Sequence, residues 1–387
     1  MKILAIETSC DETAIAILAF SGSWPNPVIH VLSNHVFSQA TLHAEFGGVV
    51  PNLAKREHQK NLVPLLLHVL RESGLYQSKP QKRKFSITKK IEKILEREPE
   101  LFAYFKKQLF PVSDPDIDAI AVTYGPGLAP ALWVGVNFAK ALACLWDKPL
   151  IPINHMEGHI FSALLQKSRK KNFQFSISNF QFPALALLVS GGHTELVLMR
   201  GYGKYKIIGE TVDDAAGEAF DKVARMLELP YPGGPQVARL AKSGKPNAFA
   251  FPRPMLRAPN FNFSFSGLKT AVLYLIRDMP TKTLQKNRAH IAASFETAVV
   301  DVLVVKTISA AKAHHARTIL LGGGVAANQK LRSVLTKASK NMRHVKMLLP
   351  ITRFTGDNAL MIALAAFFPH KKTAGHSVRA EANARLS

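Results

Sequence analysis

The chain opens on KILAIET, an apolar run that a polar turn separates from a second run, AIAILAF, and later a third, VIHVLSNHVF. Short apolar stretches bounded by turn residues predict strands. NLAKREHQKNLVPLLLHVLRES then carries a helical period. DIDAIAVTYGPG predicts a strand ending in a turn, APALWVGVNFAKALACLW a buried helix, and PLIPIN a further strand. Strands that alternate with helices indicate an α/β architecture.

The second half starts over. ALALLVSGGHTELVLM has the same shape as ILAIETSCDETAIAIL near the start: an apolar run, a small or polar turn, an apolar run. The two lie about 180 residues apart and predict two related α/β domains, divided as 1–160 and 161–387. Two segments look like additions. One is a basic insertion at about 79–114, with ten Lys/Arg against four Asp/Glu over 79–107; the other is the basic loop KSRKKN at 167–172. Both are expected to be solvated surface, with phosphate contact as the alternative. A basic tail from about 371 lacks an apolar period and is expected to be loosely held.

Composition narrows the field. With 47% hydrophobic residues over 387 positions, the chain can bury real cores. No stretch approaches the roughly 18 uninterrupted apolar residues of a membrane span. Glu7, Asp11 and Glu12 interrupt the first apolar run where a signal segment would continue, so a cytoplasmic protein is expected. Two cysteines, Cys10 and Cys144, are too few for a disulfide framework. The formal charge of +23 favours a polyanionic partner.

Candidate chemistry begins at INHMEGHIFSALL. His155 and His159 stand four residues apart and share a helix face, where two imidazoles can bind one cation. The order is H-x-E-x-H, which puts Glu157 roughly 200° around from His155. That argues against the zinc-peptidase motif, in which the glutamate works beside the metal. Two surface histidines with no role are the bland alternative. Asp357, in FTGDNALMIALAAF, is either a plain helix cap or a third, oxygen ligand.

Three glycine turns follow strands: YGPGLAPAL, VSGGHT and LLGGGVAANQKL. Glycine lets the backbone approach a ligand closely, and N–H groups there suit an anion. Together they predict a nucleotide cleft between domains, without the Rossmann or P-loop fingerprint. TVDDAAGEAFDKVARMLELPYPGGP places Asp213, Asp214, Glu218 and Asp221 near a helix, either as an exposed acidic face or as hydrogen-bond acceptors for a ligand. No convincing serine or cysteine nucleophile set emerges, and neither His193 nor Glu195 is assigned as a general base.

IETSCDETA, HAEFGGVVPNLAKREH, HMEGH, LLVSGGHTEL, DDAAGEAFDKVARMLELPYPGGP, FSFSGLKTAV, GGGVAANQ and FTGDNALMIA occur in this order between Met1 and Phe368. In them the chain resembles the bacterial TsaD branch of the TsaD/Kae1/Qri7 family of tRNA N6-adenosine threonylcarbamoyltransferases. The resemblance implies the actin/Hsp70-like (ASKHA) two-domain fold with an interdomain nucleotide cleft. It implies one divalent metal per subunit, Fe2+ or Zn2+, on His155, His159 and Asp357. Threonylcarbamoyl-AMP would bind with its phosphate and carbamoyl region at Leu188, Val189, Ser190, Gly191 and Gly192, and its adenosine part at Asp221, Gly234 and Asn328. The group would pass to N6 of adenosine 37 in tRNAs reading ANN codons, forming t6A with release of AMP. TsaB and TsaE homologues would be partners, and no membrane is involved. The chain departs from the family pattern at Ala238, where many members carry an acid after the Pro-Gly-Gly-Pro turn. Rival readings are a metal-dependent endopeptidase, an ASKHA-type kinase or ATPase, and a non-catalytic tRNA-binding scaffold.

Overall fold

A computed structural model describes residues 1–22, 27–78, 84–167, 174–177, 180–368 and 377–386. The opening apolar runs form β1 (Lys2–Glu7), β2 (Glu12–Ser21) and β3 (Val28–Ser38), followed by α1 (Ala40–Ala44) and α2 (Pro51–Glu72). Next come α3 (Phe85–Ile94), α4 (Pro99–Leu109), β4 (Ala119–Gly125), α5 (Ala129–Trp146), β5 (Leu150–Asn154), α6 (His155–Ser162), β6 (Leu165–Lys167) and β7 (Gln174–Ile177). The second half gives β8 (Ala184–Val189), β9 (Thr194–Gly201), β10 (Lys204–Glu210), α7 (Ala216–Met226), α8 (Gly233–Ala241) and α9 (Ser266–Arg277). It continues with α10 (Thr281–Ala313), β11 (Thr318–Gly322), α11 (Gln329–Lys340), β12 (Lys346–Leu348) and α12 (Ala359–Phe367).

The doubled hairpin is the seed of a doubled sheet. In the first, β1 pairs antiparallel with β2 and β2 with β3, while β4 lies parallel to β1 and β5 parallel to β4. In the second, β8 pairs antiparallel with β9 and β9 with β10, while β11 lies parallel to β8 and β12 parallel to β11. The orders β3-β2-β1-β4-β5 and β10-β9-β8-β11-β12 are therefore the same topology, with β7 and β6 added beside β3. A meander followed by two parallel crossover strands, present twice, is the core expected of an ASKHA chain, and the fold expectation holds.

Packing gathers the chain into two units: residues 1–42, 49–179 and 357–386, and residues 43–48 and 180–356. The division is thus not a single cut at residue 160. The first unit takes back α12, whose residues Ala359–Ala366 are buried throughout. An apolar helix of that kind must be covered on all sides, and here β1, β2 and α6 pack against it. In the first unit, β1, β2 and β4 contribute Leu4, Ile6, Ile15, Ile17, Ile120 and Val122 to one core with α2 and α5. The second unit has its own core around β8, β11, α7 and α10. Helix α5 is the one described helix long and apolar enough to cross a membrane, and most of it is buried in this core of the first unit.

Two expectations about added segments change. Residues 84–114 are not a solvated loop: α3 and α4 pack on α5 and α2, burying Ile91, Leu95, Leu101, Phe105 and Leu109. The amphipathic pattern of IEKILERE and LFAYFKKQL supplies that apolar stripe, with the lysines left outside. The tail is also held where it is described. The Glu381 N–H donates to the Tyr124 carbonyl at 2.8 Å, the Gly127 N–H donates to the Ala382 carbonyl at 3.0 Å, and Val378 and Leu386 are buried. A Cβ on Gly125 would fall 1.9 Å from the Glu381 carbonyl oxygen, so glycine there admits the tail backbone. Residues 79–83, the loop KSRKKN apart from Lys167, and 371–376 lie outside the described residues.

Candidate metal centre and nucleotide pocket

Strand β5 ends at Asn154, whose side chain accepts from the N–H groups of Met156 (2.9 Å) and Glu157 (3.4 Å) and so starts α6. That start fixes which face of α6 holds His155 and His159. Both are buried, at 6% and 0% exposure, which removes the surface-histidine alternative. Gly158, between them, lets α6 close on α12: a Cβ there would sit 3.0 Å from Ile362 Cδ1 and Met361 Cγ. The approach delivers Asp357, whose Oδ1 lies 3.4 Å from His155 Nε2 and 3.2 Å from His159 Nε2. The cap of α12 is Asn358, which accepts from the Met361 N–H at 3.1 Å, so Asp357 is not the plain cap.

Ligand atoms of His155, His159 and Asp357 all lie within 4.8 Å of one another. Glu157 is buried too but stands outside this group. The surroundings also favour a cation. Neither ring nitrogen of the fully buried His159 makes an aligned hydrogen bond among the described residues, an uncommon state for a buried polar group. His155 Nδ1 is held by Glu7 Oε2 at 3.1 Å and by Ser9 Oγ at 3.2 Å, which leaves Nε2 for the Asp357 side. Glu7 is itself fixed, since the Ser9 N–H and the Thr123 hydroxyl both donate to it.

Burial opposes charge on every member of this set. On His155 the carboxylates of Asp357 and Glu7 outweigh that penalty and hold the imidazolium well above the ordinary histidine range. Burial instead pushes His159 down. Asp357 is held far below the carboxylate range: burial works against its charge, but the two histidines prevail. Glu12, close by, goes the other way, because burial and the charges of Asp357 and Asp11 push it well up. Carboxylates crowded around two imidazoles are a setting that a divalent cation relieves. The His-His-Asp set fits a metal with open positions.

A separate cavity of about 800 Å³ lies within the second unit. Gly191, Asp221, Gly234, Glu296, Gly324 and Asn328 are among the residues that line it. The three residues expected at adenosine, Asp221, Gly234 and Asn328, thus share one wall system. Asp221 Oδ1 accepts from the N–H groups of Gly233 (2.7 Å) and Gly234 (3.3 Å) and so anchors the start of α8. The Asn328 side chain accepts from the Leu331 N–H at 2.9 Å, capping α11, and donates to Glu296 Oε1 at 2.7 Å. Burial holds the Glu296 carboxyl above its usual range.

The sequence motifs do not single out Glu296. It sits on α10, within a stretch that has no glycine punctuation or repeated histidine spacing to mark it. Ala238 lines the same cavity, and so does Glu296. In the β8–β9 turn, a Cβ on Gly191 or Gly192 would meet nothing within 4 Å, while the Leu188 and Val189 side chains are fully buried in the sheet and offer a ligand only backbone. Ser190 Oγ accepts from the His193 N–H at 3.1 Å. The glycines after β4 differ, since the tail and the Ser9 carbonyl fill the space beside them.

The acidic residues leading into and along α7 are mostly used inside the fold. Asp213 accepts from the backbone of Phe265 at 2.8 Å and from the hydroxyls of Ser264 and Ser266. Asp214 pairs with Lys222 at 2.8 Å and Lys269 at 2.7 Å, and Glu218 pairs with Lys222 at 2.7 Å. Of that run, Asp221 alone is among the residues that line the cavity.

The family model described as "tRNA N6-adenosine threonylcarbamoyltransferase" matches residues 30–82 and 108–364. The chain belongs to the TsaD family. The internal gap in the match falls on α3 and most of α4. A tRNA N6-adenosine threonylcarbamoyltransferase of Thermosipho africanus (strain TCF52B) is 42% identical over 372 residues, covering 96% of this chain and 95% of the relative. The protein of the same description from Ralstonia pickettii (strain 12J) is 42% identical over 369 residues, covering 94% and 90%. Likeness to solved structures is slight: a T. kodakarensis HypF structure is 13% identical, covers 70% of this chain and 43% of that one, and gives a TM-score of 0.48. The fold assignment rests on the strand order instead.

Proposed function

We propose that this chain transfers the threonylcarbamoyl group of threonylcarbamoyl-AMP to N6 of adenosine 37 in tRNAs reading ANN codons, forming t6A37 and releasing AMP. The observation that carries the reading is relatives of that description matched along nearly the whole of both chains. The charge of +23 supports a tRNA partner, because phosphate contacts dominate such affinity.

His155, His159 and Asp357 would hold the metal, iron or zinc, which when bound supplies a Lewis acid that polarises or orients donor oxygens. Every other task falls to the chain. Glu7 and Ser9 orient His155 through Nδ1, and Asn154 fixes the helix start that places both imidazoles. The cavity of the second unit would receive the adenosine part, with the Glu296 carboxyl and the Asn328 amide as its polar groups. Backbone N–H groups at Gly191 and Gly192 would face the phosphate and carbamoyl region, where donors stabilise developing charge. Adenine N6 is a weak nucleophile, and a mixed anhydride with AMP as leaving group removes the need for a serine or cysteine nucleophile. A cytoplasmic site of action and work alongside TsaB and TsaE homologues complete the reading. The placement of Glu157 outside the histidine–aspartate group disfavours the peptidase alternative.

The test is nucleoside mass spectrometry of tRNA from cells depleted of this protein and complemented with wild type or His155→Ala. Loss of t6A on depletion, restored by wild type and not by the variant, is expected. Undiminished t6A on depletion overturns the function, and full rescue by the variant overturns the metal role.

A further inference from the structure

A second set of metal-type side chains lies elsewhere on the first unit. His35 on β3 and His68 and Glu72 on α2 place their ligand atoms within 4.8 Å of one another. His68 and Glu72 are four residues apart on α2 and share a face, as i and i+4 must. Strand β3 packs against that face and brings His35 to it. His35 Nε2 lies 2.6 Å from Glu72 Oε2, and the His35 and His68 rings meet edge to face with centroids 4.4 Å apart. Glu72 Oε2 is further oriented by the hydroxyl of the buried Ser33. Arg71, the preceding residue, is turned onto the Tyr76 ring at 4.8 Å.

A surface ion pair between His35 and Glu72 accounts for part of this, and such pairs contribute little. It does not account for His68, whose imidazole converges on the same point from the next turn of α2. Two imidazoles and one carboxylate on two rigid elements, with a hydroxyl steadying the carboxylate, match the three-ligand open site of a zinc-type cation. Zinc–nitrogen distances of about 2.0–2.1 Å put neighbouring ligands roughly 3.3 Å apart. The ligand atoms of these part-exposed side chains already lie within 4.8 Å of one another.

We propose that His35, His68 and Glu72 form a second divalent transition-metal site, which clips β3 to α2. The cation takes the position of the proton in the His35–Glu72 hydrogen bond, and water completes its coordination. Binding to the folded state alone raises thermal stability with metal concentration.

The probe is Co2+, with Zn2+ as competitor, titrated into chelator-stripped full-length protein and read by equilibrium dialysis and the visible cobalt spectrum. His35→Asn/His68→Asn is expected to bind one cobalt fewer per chain than wild type, with unchanged circular dichroism. His155→Asn/His159→Asn tests the other centre separately and is expected to keep the cobalt held by His35 and His68. Zinc is expected to raise the Tm of that second variant, and the rise to vanish when His35 and His68 are also replaced. Equal cobalt stoichiometry in wild type and His35→Asn/His68→Asn overturns the proposal. If the variant does not fold, Glu72→Gln carries the same comparison, and undiminished cobalt binding there overturns it equally.

Discussion

At His155 the decisive atom is Nδ1. With that nitrogen held by Glu7 and Ser9, the ring presents Nε2 to the Asp357 side in a fixed orientation. Partners of this kind commonly account for about 10–100-fold in metal affinity. Glu7→Gln is therefore expected to lower Zn2+ affinity by about 10–100-fold in equilibrium dialysis, while Glu157→Gln leaves it in place. Asp213 provides a separate, structural test. Burial raises its carboxyl, but donors from Ser264, Phe265 and Ser266 prevail and hold it below the ordinary aspartate range. A depressed folded value means that the stabilisation is fully present above the unfolded pKa of about 3.9. It is lost as pH falls through the lower folded value. Chemical denaturation of Asp213→Asn against wild type is expected to show a constant stability gap above about pH 4 that closes below it.

Helices α3 and α4 show how an element can look like an insertion and still belong to the core. Phe105 is fully buried, with ring contacts to Phe110 and Phe138 at centroid distances of 6.2 and 5.8 Å. Phe105→Ala is expected to cost about 3–5 kcal/mol in denaturant unfolding. A loss below about 0.5 kcal/mol would return the segment to a surface appendage. Asn137 of α5 donates to Glu98 at 3.1 Å, which adds a buried polar tie at the turn between α3 and α4. Close approach of elements also explains Gly217 at the second position of α7. A Cβ there would fall 2.4 Å from the Ser190 carbonyl oxygen and push the β8–β9 turn away from the helix start. Gly217→Ala is expected to cost about 1–3 kcal/mol by overpacking, read as a lowered Tm.

Across the whole molecule, the charge of +23 is the feature that reaches a partner as large as tRNA. Lys89, Lys90, Lys93, Lys106 and Lys107 are exposed on the α3–α4 insertion, over a buried apolar stripe. Replacing Lys89, Lys93, Lys106 and Lys107 by glutamate leaves the packing intact. It is expected to weaken tRNA binding and to flatten log Kd against log salt, by about 0.7–0.9 for each phosphate that the variant no longer neutralises. An unchanged slope would assign those lysines to solubility alone.

The sequence by itself determined the α/β alternation, the repeated hairpin, the spacing of His155 and His159 and the family motifs. These are local or periodic, and one chain displays them without folding. Tertiary structure decided the rest. Asp357 meets the histidines only because α12 returns to the first unit, and Glu7 and Ser9 reach His155 across a separation of 148 and 146 residues. Glu296 joins the cavity from the middle of a long helix, and the space beside Gly125, at the end of β4, is filled by a tail that the sequence alone leaves loose. No local pattern encodes such meetings. They follow from burying two apolar sheets and their helices at close packing, which sets which distant side chains share a wall.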